Sequence, residues 1–213
     1  MTAYSTPGVL EEILRTAPVI PVVTIRRVED AVPLAQALVR GGLPVIEVTL
    51  RSDSAIAAIR QIRDRVPEAI PGAGTILREV DLQRVREAGA VFGVSPGLTP
   101  DLAAAIIADG MPFLPGVATA SEIMRAREYG FRFLKFFPAA ASGGLDALSG
   151  FAGPFPEVSF CPTGGIREQT LHDYLSLRNV VCAGGSWLVT ENDLQTGNWD
   201  AVTERAARIT RRP

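Results

Sequence analysis

The chain has 213 residues, 47% of them hydrophobic, and a formal net charge of −2, enough apolar material for the core of one domain spanning 1–213. Scattered arginines and a near-neutral balance argue against nucleic acid as the main partner, and the lack of any run of 18 apolar residues argues against a membrane span. Two cysteines without CxxC spacing, Cys161 and Cys182, and a single histidine, His172, offer no metal-ligand pattern and read as buried reduced thiols in a cytoplasmic protein.

The segment MTAYSTPGVLEEILRTAP carries Glu11 and Glu12. It lacks the basic region and apolar core of a secretory signal, and reads as an extra N-terminal helix. One junction then recurs: a helical pattern, a glycine, and a short apolar strand. The glycines are Gly42, Gly89, Gly110 and Gly130, separated by 47, 21 and 20 residues. Glycine suits that place because helices often end in a left-handed residue. Eight strands are predicted: Val19–Ile25, Val45–Leu50, Ala69–Thr75, Ala90–Ser95, Pro112–Ala118, Phe131–Pro138, Val158–Thr163 and Val180–Gly184. Helical patterns lie between them. Ser54–Arg65 puts Ile56, Ile59 and Ile62 on one face. Thr99-Pro100 reads as a cap followed by proline at the first helical position. Ala201–Ile209 follows Asn198 or Asp200 as the last helix. Eight strands alternating with helices predict an α/β protein, a (β/α)8 TIM barrel with an extra N-terminal helix. A doubly wound open sheet is the alternative.

In a barrel, active sites form at the carboxyl ends of the strands. The second predicted strand, VIEVTLR, alternates so that Ile46, Val48 and Leu50 face helices while Glu47, Thr49 and Arg51 point inward. An inward glutamate is either half of an ion pair or a catalytic carboxylate. The sixth, FRFLKFFPAA, holds the only lysine, against 20 arginines. Period two puts Phe131, Phe133, Lys135 and Phe137 on the inner face. Lysine can lose its proton and attack a carbonyl, which arginine cannot do; a structural or snorkelling lysine is the other reading. The phenylalanines disfavour its ammonium and a nearby Glu47 favours it. Thr75 ends the third strand, and Pro96 follows the fourth. Gly164-Gly165 and Gly184-Gly185-Ser186 follow the last two strands, where barrels place phosphate. Such glycines either bring backbone N–H groups to oxyanions or mark tight corners.

The motifs GGxxxxEVTLR, GAGT, SPGLT, PGVAT, KFFPA, PTGGI and GGSWL run in this order over residues 18–189. Together they resemble the class I 2-keto-3-deoxy-6-phosphogluconate (KDPG) aldolases. The resemblance implies a trimeric barrel that needs no metal or other cofactor. It implies cleavage of KDPG to pyruvate and glyceraldehyde 3-phosphate through a Schiff base, and for many members cleavage of 4-hydroxy-2-oxoglutarate to pyruvate and glyoxylate. By position, Lys135 would be the Schiff-base lysine and Glu47 the general acid/base. Arg51 and Thr75 would bind the pyruvyl carboxylate. Gly164, Gly165, Gly184, Gly185 and Ser186 would form the phosphate end, and Pro96, Phe137 and Thr163 would line the pocket. Arg26 and Arg27, after the first strand, either meet phosphate or are solvated, and solvation is the favoured reading. The rivals are an aldolase for the galactonate epimer or for unphosphorylated 4-hydroxy-2-oxoglutarate, a barrel that isomerises or binds a sugar phosphate without covalent chemistry, and a non-catalytic scaffold.

Overall fold

The computed structural model describes residues 7–211. Its strands are β1 Val19–Val23, β2 Val45–Thr49, β3 Ile70–Gly74, β4 Phe92–Val94, β5 Phe113–Leu114, β6 Gly116–Val117, β7 Phe133–Phe136, β8 Ser159–Pro162 and β9 Ala183–Gly185. The helices are α1 Pro7–Arg15, α2 Ala31–Arg40, α3 Ala55–Arg65, α4 Glu79–Glu87, α5 Pro100–Asp109, α6 Ala120–Glu128, α7 Gly144–Phe151, α8 Leu171–Leu175, α9 Glu191–Thr196 and α10 Trp199–Thr210. All ladders between these strands are parallel, because a helix returns the chain before most new strands. One sheet has the order β5-β4-β3-β2-β1-β9 and the other β6-β7-β8. Isolated bridges Phe160↔Val180 and Thr163↔Gly184 connect β8 to the segment containing β9. The result is an α/β fold on a curled parallel sheet. No described helix is long and apolar enough to cross a membrane.

The helix-ending glycines behave as their spacing implies. Gly42, Gly89, Gly110 and Gly130 have φ of 85, 87, 76 and 91°, a region that side chains with a Cβ rarely enter. Thr99 Oγ1 accepts the Leu102 N–H at 3.2 Å ahead of Pro100. Asn198, rather than Asp200, caps α10 through the Ala201 N–H.

Two apolar clusters fill the molecule. The larger lies between the sheet and its helices and takes Ile46, Val48, Leu134 and Phe136 from the strands, with Leu34, Leu38, Ile59 and Ile62 from α2 and α3. The smaller takes the opposite strand face: Ile20, Val45, Phe92, Val94, Leu114, Phe133, Cys161 and Cys182. Leu10, Ile13 and Leu14 of α1 join this inner cluster. The N-terminal helix therefore covers the inner face, away from the strands' carboxyl ends.

Several strand limits differ from the sequence-based expectation. The predicted Pro112–Ala118 strand is two short ones, broken at Pro115, which has no N–H to give a ladder. Its carbonyl still accepts the Lys135 N–H at 2.9 Å. The first strand stops at Val23 because the hydroxyls of Ser52 and Ser54 take the Ile25 carbonyl and Ser54 also takes that of Arg26. Phe131 does not share a face with Lys135. It precedes β7, its N–H closes the end of α6 on the Ala126 carbonyl, and its ring packs in the outer cluster.

Candidate active site

Alternation along two strands brings the two sharpest candidates together. On β2, Ile46 and Val48 go to the helix side, which turns Glu47 inward at 3% exposure. On β7, Leu134 and Phe136 go outward and Lys135 turns inward at 4% exposure. Across 88 residues of sequence, Lys135 Nζ donates to Glu47 Oε1 at 3.0 Å and to Oε2 at 3.3 Å. The strands make room for both chains. Lys135 has Gly116 as its register partner on β6 and Cys161 on β8. Glu47 sits opposite Gly72 of β3 and leans towards Gly74. The Phe137 ring lies with its centroid 5.3 Å from Nζ, within cation–π range.

A buried ion pair gains little for the fold, because desolvating two charges offsets most of their attraction. It does supply chemistry. A carboxylate hydrogen-bonded to an ammonium can take its proton and expose an amine lone pair among apolar neighbours.

Arg51 and Thr75 stand at the ends of β2 and β3, where Arg51 Nε donates to Thr75 Oγ1 at 3.4 Å. Thr75 has φ 64°, the one positive value outside glycine among the described residues. For a β-branched side chain that conformation costs about 1–3 kcal/mol and clusters at functional sites. A groove of about 650 Å³ opens beside them, lined also by Leu77, Arg78 and Arg84. It does not reach Lys135 or Glu47, so the chemistry is assigned to the buried pair and not to this groove.

Pro96 is exposed, in the loop after β4. That loop rests on Gly116, where a Cβ would lie 2.2 Å from the Pro96 carbonyl carbon. Thr163 is buried and bridges to Gly184, on which a Cβ would meet Thr163 Oγ1 at 2.2 Å. Gly164 and Gly165 turn the chain with φ of 96 and 78°. Ser186 is exposed after β9. Gly185 has a packing reason too: a Cβ there would meet the Trp187 ring at 2.5 Å. All of these lie at or just beyond the carboxyl ends of their strands.

The expectation for the two arginines holds only in part. Arg27 is engaged by the Asp30 carboxylate at 2.9 and 2.7 Å and by the Leu194 carbonyl of α9, so it ties the rim together. Arg26, largely exposed, faces Glu191 at 3.7 Å. Cys161, level with Lys135 on β8, and Cys182 are free and buried. The hydrogen bond that the Cys182 thiol gives to the Cys161 sulfur and complete burial push the Cys182 thiol well up, so it stays protonated and unreactive. No described group of three or more His, Cys, Asp or Glu could hold a metal ion. One rim residue escaped the sequence reading: Thr24, just past β1, whose Oγ1 lies 2.7 Å from Thr49 Oγ1. Its alternation with Ile20 and Val22 was the available signal.

Residues 10–205 match the family described as KDPG and KHG aldolase. The chain belongs to the KDPG and KHG aldolase family. It is 52% identical over 196 residues to the KHG/KDPG aldolase of Escherichia coli strain K12, covering 92% of each chain. Among solved structures, it superposes with a TM-score of 0.92 on the KDPG aldolase of Legionella pneumophila, crystallised with pyruvate as a covalent carbinolamine. That match has 43% identity and covers 94% of this chain and 98% of the other. The KDPG aldolase of Zymomonas mobilis ZM4 with 3-phosphoglycerate gives a TM-score of 0.88 at 44% identity, covering 95% and 96%.

Proposed function

We propose that the protein is a class I aldolase that cleaves KDPG to pyruvate and glyceraldehyde 3-phosphate, and 4-hydroxy-2-oxoglutarate to pyruvate and glyoxylate. The observation that carries this is the buried Lys135–Glu47 pair, with Nζ 3.0 Å from Oε1, in a chain of that family. Once its proton has passed to Glu47, the Lys135 amine adds to C2 of the keto acid; Glu47 then gives that proton to the C2 hydroxyl, which leaves as water, so that an iminium and a free carboxylate result. The electrons of the C3–C4 bond move into the iminium and leave an enamine, while Glu47, or a water it holds, takes the C4 hydroxyl proton and the aldehyde departs. The same carboxyl group returns a proton to C3, and hydrolysis of the pyruvyl imine frees Lys135. No step needs a metal or an organic cofactor. The carbinolamine with pyruvate in the Legionella relative supports this order of events.

In this reading, Arg51 and Thr75 grip the keto-acid carboxylate, Arg51 because its fork engages two oxygens. Gly164, Gly165, Gly184, Gly185 and Ser186 hold the phosphate of a keto-acid phosphate substrate. Pro96, Phe137 and Thr163 line the space between the ends. Two held ends fix C3 and C4 over the pair. The sheet closes as a (β/α)8 barrel of one domain over 1–213, with α1 as an extra helix beneath it. The β8-to-β9 bridges and the single residue between β5 and β6 favour that closure. The working form is a homotrimer in the cytoplasm.

Steady-state cleavage of KDPG, its galactonate epimer and 4-hydroxy-2-oxoglutarate by the pure protein tests the assignment. The highest kcat/KM is expected on KDPG. A preference for the epimer would move the substrate, and no pyruvate from any of the three would refute the reaction.

A further inference from the structure

The Thr24–Thr49 pair is not used by the mechanism above. Thr49 ends β2 on the same face as Glu47, one pleat nearer the carboxyl end, and is 1% exposed. The register Val22↔Glu47 and Val23↔Val48 puts Thr24 directly opposite Thr49. Their hydroxyl oxygens are 2.7 Å apart. On its other side Thr49 is paired with Gly74, which offers no side chain. The sheet order β2-β1-β9 places the end of β1 between Glu47 and the Gly184–Ser186 turn. β1 pairs with β9, so its end stands beside the turn assigned to the phosphate and beside β2, which carries Glu47.

We infer that Thr24, held by Thr49, recognises the C5 hydroxyl of the phosphorylated substrate, the hydroxyl that becomes the α-hydroxyl of the aldehyde product. This rests on the aldolase reading above. Two hydroxyls in contact carry two hydrogens, and their mutual bond uses one. The second has no acceptor among the described residues, and the pair keeps spare lone pairs. One donor beside one acceptor matches a substrate hydroxyl, which both accepts and donates. Burial of Thr49 fixes its rotamer, and the short mutual bond then holds the half-buried Thr24 hydroxyl at the carboxyl end of the sheet. Thr24 is a positioning and specificity residue here. It takes no part in the imine chemistry.

The test is run in the condensation direction with pyruvate and two acceptors. One is D-glyceraldehyde 3-phosphate; the other is 3-oxopropyl phosphate, which differs only in lacking the hydroxyl. The wild-type protein is expected to prefer the hydroxylated acceptor in kcat/KM. Thr24→Val, which keeps the shape, should shrink that preference about three- to tenfold, the effect of one hydrogen bond. It should leave the rate with 3-oxopropyl phosphate within twofold and the borohydride trapping of pyruvate unchanged. Thr24→Ser should restore the preference. Equal losses on both acceptors would make the pair a tie between β1 and β2 and overturn the inference, as would an unchanged preference. A wild-type protein that traps no pyruvate would instead fail the aldolase reading itself.

Discussion

The Glu47 carboxylate occupies the place a side chain on Gly74 would take: a Cβ built there would lie 2.1 Å from Oε1 and 2.7 Å from the Glu47 Cγ. The glycine before Thr75 is thus required by a residue on the neighbouring strand. Gly74→Ala should push the carboxylate off Lys135 while leaving the surrounding core in place. A displacement near 1 Å in a catalytic group costs about 10²-fold in rate, so kcat should fall by about that factor with folding retained by circular dichroism. Wild-type kcat in this variant would show that the position of Glu47 does not matter.

Glu47→Gln keeps the shape of the side chain but removes its ability to carry protons. The imine with pyruvate should still form, because Lys135 remains and water can take its proton in place of Glu47, and turnover should fall about 10²–10⁴-fold, the usual range for a lost general base. Borohydride trapping measured beside kcat separates the two steps. Undiminished turnover would remove Glu47 from the mechanism.

Stability separates a functional ion pair from a structural one. Lys135→Met leaves Glu47 buried without its partner, and Glu47→Leu does the same to Lys135. Each should lower the unfolding free energy by about 3–5 kcal/mol. The double variant has neither charge and should lie well above both singles in urea unfolding, near the parent protein. A double variant as unstable as its worse single would mean that the pair is retained for the fold.

Thr75 should be replaceable by glycine at little cost to stability and at a clear cost to binding. Relief of the left-handed conformation gains about 1–2 kcal/mol, and the extra freedom of glycine in the unfolded chain returns about 0.5–1 kcal/mol. Thermal unfolding should therefore move by only a few degrees. Loss of the hydroxyl that meets Arg51 should raise KM for the keto acid about tenfold, the scale of a hydrogen bond to a charged group. An unchanged KM would take Thr75 out of the carboxylate site.

Much of the site was legible because it rests on period two. VIEVTLR carries Glu47 and Arg51, and FRFLKFF carries Lys135, in phase with inward positions, and the alternation alone sends Glu47 and Lys135 to the same side. The helix-ending glycines were legible for an equally local reason, since each needs only its own positive φ. Features that depend on distant partners were not. The Glu47–Gly74 contact and the Thr24–Thr49 pair follow from strand register, which no single strand encodes. Arg27 is held by Asp30 nearby and by the Leu194 carbonyl from far along the chain. Phe131 broke the alternation because the end of α6 claims its N–H before β7 begins. The break at Pro115 could have been read from the missing N–H, but the apolar run around it masked the signal.

The central claim is that Lys135 forms an imine with the keto acid. The direct measurement is to incubate the folded protein with pyruvate, reduce with borohydride, and follow intact mass and the modified peptide. The expected result is a single stable pyruvyl adduct on the peptide containing Lys135, absent from Lys135→Arg, which keeps the charge but has no nucleophilic amine. An adduct elsewhere, or none on protein shown to be folded, would contradict the Schiff-base reading and leave a barrel that binds sugar phosphate without covalent chemistry.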